Sequence, residues 1–356
     1  QPELLDGLVD AAYAPDGVTI LAISAGSTIQ ECNPKTQEWT TPSWSSKVAK
    51  SLGRGESLSG IRVDTENHIL LFGPGFAQLW EVSPNDVKQA SQVRSRPPTQ
   101  LVEFLSGDSD TVRSLSADGR LDLLSRSDSD TFVRKETMLE QLRGISHACS
   151  GPQEGEAYVA IRDAISNSTR FELWNLDRAE LLDTIAESVS GSCTALNADE
   201  NRLAYAVVDG EKAWVKVVDL SSGETSQAIE LLPGYHPTAI ALSPTDDRLL
   251  ICTSRGTPFI AARKAEEVWQ LTPIDRDDIS AAVFSPQGER LIFGTSTGQV
   301  YIVKPQASET GLIARLLLTL PGHTDAVTVL RFANRDAKLS LLSGDAAGRV
   351  LLHPLQ

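Results

Sequence analysis

The residue pattern closest to known chemistry is the run at 294–298 (GTSTG), which matches the G-x-S-x-G sequence of a nucleophile elbow. That chemistry needs a serine on a turn between a strand and a helix, with an acid and a histidine following. A strand-like run at 299–303 follows here instead, so we predict an ordinary hairpin turn around Ser296. His323 could serve as a base for Ser296, but its position after Gly322 favours a structural role.

The spacing of the residues does not indicate a metal-binding or a nucleotide-binding site. The five histidines are scattered and show no H-x-x-x-H or H-E-x-x-H pattern. The acidic pairs at 108–110 and 128–130 do not continue into a complete calcium loop. Glycine-rich phosphate loops are also missing. We therefore expect no cofactor, no metal ion and no enzymatic activity.

Other residues are candidates for binding a protein partner. Trp39 and Trp44 lie in the run at 38–44 (EWTTPSW), where an exposed tryptophan would be a natural interface anchor. Burial between neighbouring structural units is the alternative. Arg94 and Arg96 precede two prolines and form a basic, stiff link. This link could attract an acidic partner or simply be a solvated connector.

Charge narrows the class of partner. The chain has 32 basic and 47 acidic residues, a net charge of −15, which disfavours nucleic acid and anionic membranes and favours neutral or basic proteins. An electronegative rim for a Lys/Arg-rich peptide would form if five acidic residues share a face: Glu266, Glu267, Asp275, Asp277 and Asp278. No run approaches the ~20 apolar residues that a membrane-spanning helix requires.

The elements that must position these residues repeat along the chain. In the clearest unit, 281–294 (AAVFSPQGERLIFG), an apolar strand runs through a Ser-Pro-x-Gly turn into a second apolar strand. Related turns are centred near positions 15, 65, 107, 152, 198, 244, 286 and 334. Their spacing of 42 to 50 residues fits the ~40–45-residue period of four-stranded propeller blades.

The fold prediction is therefore an all-β, closed β-propeller of four-stranded antiparallel blades, formed by residues 1–356 as one domain. Eight turns imply eight blades, although merging the weak copies near 107 and 152 would give seven. The last unit stops at its third strand, 350–355. An N-terminal strand around residues 3–5 would complete that blade and close the ring.

The repeats resemble those of the WD-repeat family. Residues 322–327 (GHTDAV), with His323 and Asp325, are similar to the opening of such a repeat. Trp80, Trp174 and Asp219 fall where the family has its closing Trp-Asp. The resemblance covers the whole chain but is patchy within every blade. It implies the propeller fold and a role in binding other proteins.

Strong members of the family have a buried network of His, turn Asp, Ser or Thr, and Trp in each blade. The resemblance places Ala347 at the turn-Asp position of the last blade and His353 at its Trp position, beside the retained His323. We therefore expect no blade to carry the full set. Each forfeited buried hydrogen bond costs roughly 1 kcal/mol, so apolar packing must contribute more.

These observations predict a non-catalytic scaffold that binds protein or peptide partners as a subunit of a hetero-complex. The acidic charge makes an assembly factor or chaperone for a basic client the most concrete version. The alternative is a sensor or autoinhibitory propeller within a longer signalling protein. Four widely spaced cysteines, without a C-x-x-C pair, indicate an intracellular setting, either cytoplasmic or nuclear.

Overall fold

The fold is seen in a computed structural model of the chain. The structure describes residues 8–14, 19–33, 36, 38–63, 68–83, 86–94, 99–105, 108–126, 132–153, 155–199, 202–220, 222–226, 228–245, 247–263, 269–274, 278–308, 311–320, 322–335 and 338–355. Strands dominate this part of the chain. None of its helices is long and apolar enough to cross a membrane.

Eight antiparallel sheets follow one another along the chain, and in each the strands neighbour one another in sequence order. Blades 1 to 4 contain β1 (Leu8–Tyr13), β2 (Ile20–Ser24), β3 (Ile29–Asn33), β4 (Glu38–Thr40), β5 (Gly60–Val63), β6 (His68–Gly73), β7 (Phe76–Ser83), β8 (Asp86–Arg94), β9 (Thr99–Leu105), β10 (Asp108–Ser116), β11 (Arg120–Arg126), β12 (Phe132–Met138), β13 (Ile145–Ser150), β14 (Glu156–Asp163), β15 (Ser168–Asn175) and β16 (Glu180–Ser190).

Blades 5 to 8 contain β17 (Ser192–Ala198), β18 (Arg202–Asp209), β19 (Lys212–Asp219), β20 (Ile229–Glu230), β21 (Pro237–Leu242), β22 (Arg248–Thr253), β23 (Phe259–Arg263), β24 (Trp269–Pro273), β25 (Ile279–Phe284), β26 (Leu291–Thr295), β27 (Val300–Ser308), β28 (Gly311–Leu320), β29 (Val327–Arg335), β30 (Lys338–Asp345) and β31 (Val350–Leu355). A helix, α1 (Ser45–Ser51), lies between blades 1 and 2, and a short 3-10 helix, Glu140–Leu142, between blades 3 and 4.

Each predicted turn joins the first and second strands of one blade. The turn near position 15 lies between β1 and β2, and the weak copies near 107 and 152 lie between β9 and β10 and between β13 and β14. The prediction of eight blades is thereby confirmed. Seven sheets have four strands, while blade 8 has three in the described part of the chain. The predicted closing strand, at residues 3–5, lies outside the described residues.

Apolar packing closes the ring. Eight buried clusters occur, one at each junction between neighbouring blades. The cluster between the last blade and the first includes Leu8 and Ile20 of blade 1 with Val329 and Leu342 of blade 8. Because every blade is covered on both sides, its second strand is an almost continuous apolar run, as in the wholly buried β2.

The innermost strands share a feature that the sequence pattern did not predict. Seven of them contain a register shift near their first residues, in β1, β9, β13, β17, β21, β25 and β29. At the register shift of β25, Ser280 of blade 7 donates a hydrogen bond of 2.7 Å to the Val327 carbonyl of blade 8. Thr328 of blade 8 donates one of 3.3 Å to the Leu8 carbonyl of blade 1. The junction between the chain's two ends therefore uses the same bond as an interior junction.

Candidate functional site

Blade 8 contains a buried chain of polar side chains. His323 lies in the connector from blade 7; its Nδ1 lies 3.0 Å from Asp345 Oδ2, and its Nε2 lies 2.7 Å from Ser343 Oγ. Ser343 Oγ also lies 2.8 Å from Nε2 of His353 on β31. The side chains of His323, Ser343 and Asp345 are almost fully buried. The chain thus ties the incoming connector to the second and third strands of the blade.

Ala347 lies in the turn after β30, and the carboxylate that a turn Asp would supply comes from Asp345 instead. Asp345, at the end of β30, has that role, because its carboxylate accepts hydrogen bonds from the backbone N–H groups of Thr324 (3.3 Å) and Arg349 (2.8 Å). Blade 8 therefore retains three groups of the network, and His353 takes the place of the tryptophan. The family resemblance did not reveal this exchange, because the carboxylate comes from a residue two positions earlier in the chain.

Burial keeps both histidines of this network neutral. Burial lowers the pKa of His323, although the hydrogen bond to Asp345 opposes that shift. Burial, with a smaller contribution from His323, lowers the pKa of His353 from 6.5 to about 4. A neutral His353 can donate from Nε2 to Ser343, as an indole N–H would. The substitution preserves the bond at neutral pH and makes it titratable in acid.

Blades 2 and 4 make the corresponding connection with different residues. In blade 2 the Trp80 indole donates to Gln78 Oε1 at 3.2 Å, and the Ser51 hydroxyl at the end of α1 lies 2.9 Å from the same oxygen. Gln78 and Trp80 are both buried. In each case two residues on one strand, separated by one position, share a face and meet the connector that enters the blade.

In blade 4 the Trp174 indole donates to Glu172 at 2.7 Å, and Arg170 Nε donates to the same carboxylate at 2.7 Å. Arg170 also donates to the Gln141 carbonyl in the incoming connector, at 2.8 Å. An open cleft of about 710 Å³ lies beside these residues and continues along Arg178 to Leu181. Because Glu172 is already engaged by two donors, it is unsuited to act as a free general base in this cleft.

Asp219 and Asp325 have local roles at turns. Asp219 ends the third strand of blade 5 and accepts a hydrogen bond of 3.1 Å from the Ser222 N–H. Asp325 lies in the connector before β29, where its carboxylate accepts from the Ala326 N–H at 2.7 Å. Asp325 is exposed, in contrast to the neighbouring His323. These contacts stabilise turns and leave the buried network of blade 8 to other residues.

Three residues of types that can act as nucleophiles or bases differ in exposure: Ser296 is exposed, whereas His323 and Cys193 are buried. Ser296 lies in the turn between β26 and β27, as the hairpin prediction required, and its N–H donates to the Asp278 carbonyl. Both ring nitrogens of His323 are occupied by Asp345 and Ser343. Burial raises the pKa of the Cys193 thiol to about 12, so this thiol remains protonated at neutral pH. The contacts of His323 and the burial of Cys193 thus stabilise the fold.

The structure separates the two tryptophans of the predicted anchor. Trp44 is only 7% exposed and packs with Val48 of α1, Ile61 and Trp80 between blades 1 and 2. It is therefore inaccessible to a partner, and the alternative of burial between neighbouring units is correct for this residue. Trp39, on the outer strand β4, is partly buried against the cluster between blades 8 and 1.

Arg94 fastens the connector rather than standing free. Its Nε donates to Glu56 Oε1 at 2.8 Å, and its second nitrogen donates to Glu56 Oε2 at 3.2 Å and to the Ser51 carbonyl at 2.9 Å. This hydrogen bonding lowers the pKa of Glu56. The guanidinium joins the outer strand of blade 2 to the segment after α1. Arg96, its predicted companion, lies outside the described residues.

Most of the predicted acidic rim lies outside the described residues, namely Glu266, Glu267, Asp275 and Asp277. Asp278 is described, and the Thr297 hydroxyl donates to its carboxylate at 3.4 Å. The end of β23 and the start of β24 pair with each other at one end of blade 6. The end of β24, which precedes Asp278 in the chain, lies at the other end of that blade.

Three charged residues on innermost strands form a cluster that the sequence did not reveal. The buried Asp10 of blade 1 accepts hydrogen bonds from Arg62 of blade 2 at 3.2 Å and from Arg331 of blade 8 at 3.5 Å. The arginine side chains are 46% and 53% exposed. The carboxylate links three blades, and the guanidinium groups keep donors exposed. Nothing in the local sequence indicated this cluster, because its members come from opposite ends of the chain.

Several solved propellers have the same backbone arrangement. The Dos1 propeller has a TM-score of 0.74 at 13% identity, covering 99% of this chain and 93% of that one. Sqt1 of Saccharomyces cerevisiae has a TM-score of 0.72 at 14% identity, covering 99% and 97%. The C-terminal WD40 domain of Sif2 has a TM-score of 0.68 at 13% identity, covering 100% and 98%. No protein-family model and no curated protein sequence matches this chain.

Proposed function

We propose that this eight-bladed β-propeller of the WD40 fold is a non-catalytic docking module for other proteins. One observation supports the proposal most strongly: large apolar side chains remain exposed along outer strands of the blades. Val133 and Met138 of β12, Leu181 and Leu182 of β16, and four residues of β28 are each more than 40% exposed. Exposed apolar side chains grouped on one element are typical of surfaces that bind other proteins.

The chemistry of the interior agrees with this proposal. The histidine side chains of blade 8 are held in hydrogen bonds, the Cys193 thiol is kept protonated by burial, and the polar groups described above tie connectors to strands. The rims and outer strands are the parts that present side chains outward. The similarity to solved WD40 propellers supports the fold on which the proposal rests.

The finer proposal is an assembly factor or chaperone that acts within a hetero-complex on a basic client. The net charge of −15 supports it, because an acidic protein attracts basic proteins during diffusional encounter. Outer strands with apolar side chains would then supply the short-range contacts. A cytoplasmic or nuclear location belongs to the same proposal.

The test is affinity purification of the intact protein from its own cells, with mass spectrometry of what is retained. We expect a reproducible set of protein partners. If steering by charge matters, basic partners should fall away as salt rises to a few tenths molar, because screening acts over ~8 Å at physiological ionic strength. Absence of any specific partner at every salt concentration would refute the docking proposal.

A further inference from the structure

The outer strand of blade 7, β28, is unlike the rest of the surface. It is ten residues long, and Ile313, Leu316, Leu317 and Leu318 are 44% to 50% exposed. It stands at the end of the strand order in its sheet, and no described strand pairs with its outer edge. Such an edge offers backbone N–H and C=O groups to another extended chain.

The hairpin formed by β27 and β28 also extends beyond the body of the blade. The neighbouring β26 pairs with β27 only between Val300 and Val303. The pairing of β27 with β28 continues to Ser308 and Gly311. Half of this hairpin is therefore a two-stranded ribbon. No described strand pairs with the outer edge of β28 or with the β26-facing edge of β27 beyond Val303, and an isolated ribbon of two strands is stabilised by a third.

The register places a like-charge pair on this ribbon. Lys304 of β27 lies directly opposite Arg315 of β28, and both side chains are exposed. They are the only charged residues in the two strands, and neither forms an ion pair with another described residue. Like charges directly opposite each other destabilise a strand pair, and an acidic group bound between them removes that repulsion.

We infer that β28 binds an extended segment of a partner protein by strand addition, and that this segment alternates acidic with large apolar residues. Its acidic side chains lie on the face of β28 that carries Arg315, beside Lys304 of β27, and its apolar side chains lie on the opposite face, beside Leu316. Main-chain hydrogen bonds supply affinity, and the alternate side chains supply specificity. This inference rests on the proposed docking function and names the partner chemistry for one surface.

A second copy of the chain fits this edge less well. Antiparallel pairing of two β28 strands would bring the arginines of both copies close together, and each chain has a net charge of −15. The overall charge attracts basic proteins from a distance. At contact, however, Lys304 and Arg315 determine which charge the edge attracts, because salt screens charges more than ~8 Å away. The local charge of β27 and β28 is positive, so the complementary segment is acidic.

The test uses the full chain and two labelled synthetic peptides, in which Val alternates with Glu or with Lys, followed by fluorescence anisotropy. We expect the Glu peptide to bind at least about tenfold more tightly than the Lys peptide. The variant Arg315→Glu should reverse this preference. Leu318→Asp should weaken binding of the Glu peptide about tenfold, whereas Leu232→Asp, an exposed apolar residue outside the edge, should not.

Hydrogen exchange on the bound complex then distinguishes strand addition from side-chain contact. We expect the amide groups of β28 to exchange more slowly when the Glu peptide is bound. Equal binding of both peptides, an unchanged preference in Arg315→Glu, or protection confined to other strands would overturn the inference. So would a dimer that Leu318→Asp dissociates, because the edge would then belong to a second copy. If Leu318→Asp unfolds the chain, Arg315→Ala provides the loss-of-binding measurement.

The same variants separate this inference from the proposed function. If the intact protein and the Arg315→Glu and Leu318→Asp variants retain the same partners from cells, the inference fails and the docking function stands. If the unaltered protein retains no partner, the docking function fails whatever the peptides show.

Discussion

Blades 8 and 2 each bind the incoming connector through buried hydrogen bonds, but with different side chains. In blade 8 the connector residue His323 reaches Ser343 on the second strand and, through it, His353 on the third. In blade 2 the connector contributes a helix, and Ser51 at its end meets the Gln78 and Trp80 pair of the third strand. Both arrangements fasten the chain segment that enters the blade.

The comparison shows what the two blades share. Each has a buried polar link between the connector and the third strand, and different combinations of side chains provide it. Blade 8 uses a carboxylate and two imidazoles, and blade 2 uses an amide and an indole with no charged group. Blade 8 should therefore depend more strongly on single substitutions and on pH than blade 2.

The largest effect is expected at Asp345. The variant Asp345→Ala leaves His323 Nδ1 and the N–H groups of Thr324 and Arg349 without their acceptor in a buried site. We expect the free energy of unfolding to fall by about 4 kcal/mol, measured by urea denaturation. The exposed Asp325→Ala, in the same connector, should change it by less than about 0.5 kcal/mol. Equal losses in the two variants would show that the buried network does not stabilise the fold more than an exposed turn contact does.

The second prediction concerns acid. Because the pKa of His353 is lowered to about 4 in the folded protein, the unfolded chain binds a proton as pH falls below 6.5 and the folded chain does not. The stability contributed by neutral His353 is complete above pH 6.5 and is lost as pH falls towards 4. The loss corresponds to about 3 kcal/mol.

The matched variant for this prediction is His353→Trp, which replaces a titratable donor with an indole. Urea denaturation from about pH 7.5 to about pH 4.5 should show a smaller loss of stability in the variant than in the unaltered protein. The stabilities at neutral pH should be similar, because both donors can reach Ser343. Parallel pH profiles for the two proteins would contradict the assigned role of His353.

Blade 2 provides the uncharged counterpart. In Gln78→Leu the Trp80 indole and the Ser51 hydroxyl lose their shared acceptor, and the volume of the side chain is nearly kept. We expect a loss of about 2 kcal/mol that is constant between pH 5 and pH 8, since no group of this link titrates there. Thermal unfolding across this range is the measurement. A pH-dependent loss would mean that a charged group also takes part.

The smallest effect is expected at the surface of blade 2. Arg94→Ala removes the ion pair with Glu56, but the arginine side chain is 44% exposed, so the loss should be below about 1 kcal/mol and should shrink at high salt. The exposed Arg54→Ala, from the same connector, is the control and should have no effect. A loss in Arg94→Ala that persists in high salt would indicate packing rather than charge.

Local chemistry made much of this architecture predictable. Turns such as Ser285-Pro286-Gln287-Gly288 and the apolar runs beside them specify strand, turn and strand without reference to distant residues, so all eight first turns were found. Glycine at 288 has a φ of +68°, which this turn requires. Trp80 and Trp174 lie on third strands, in agreement with the closing positions that the resemblance to WD repeats implied.

The candidate site depended on contacts that sequence spacing does not encode. Trp44 is of a residue type that often anchors interfaces, yet it packs against α1 between blades 1 and 2. Arg94 resembles a free cation in the sequence, and its partner Glu56 becomes apparent only when the connector folds back. A side chain's neighbours across blade junctions come from residues tens to hundreds of positions away.

The sequence by itself determined the blade repeat and favoured eight blades over seven, because both depend on turn geometry and local apolar patterning. Only the tertiary structure decided that Asp345 completes the network of blade 8 and that Asp10 links three blades. It also decided that β28 carries an exposed edge with a like-charge pair. The physical reason is that hydrogen bonds, burial and charge depend on which blades meet, and ring closure brings together residues that are distant in the chain.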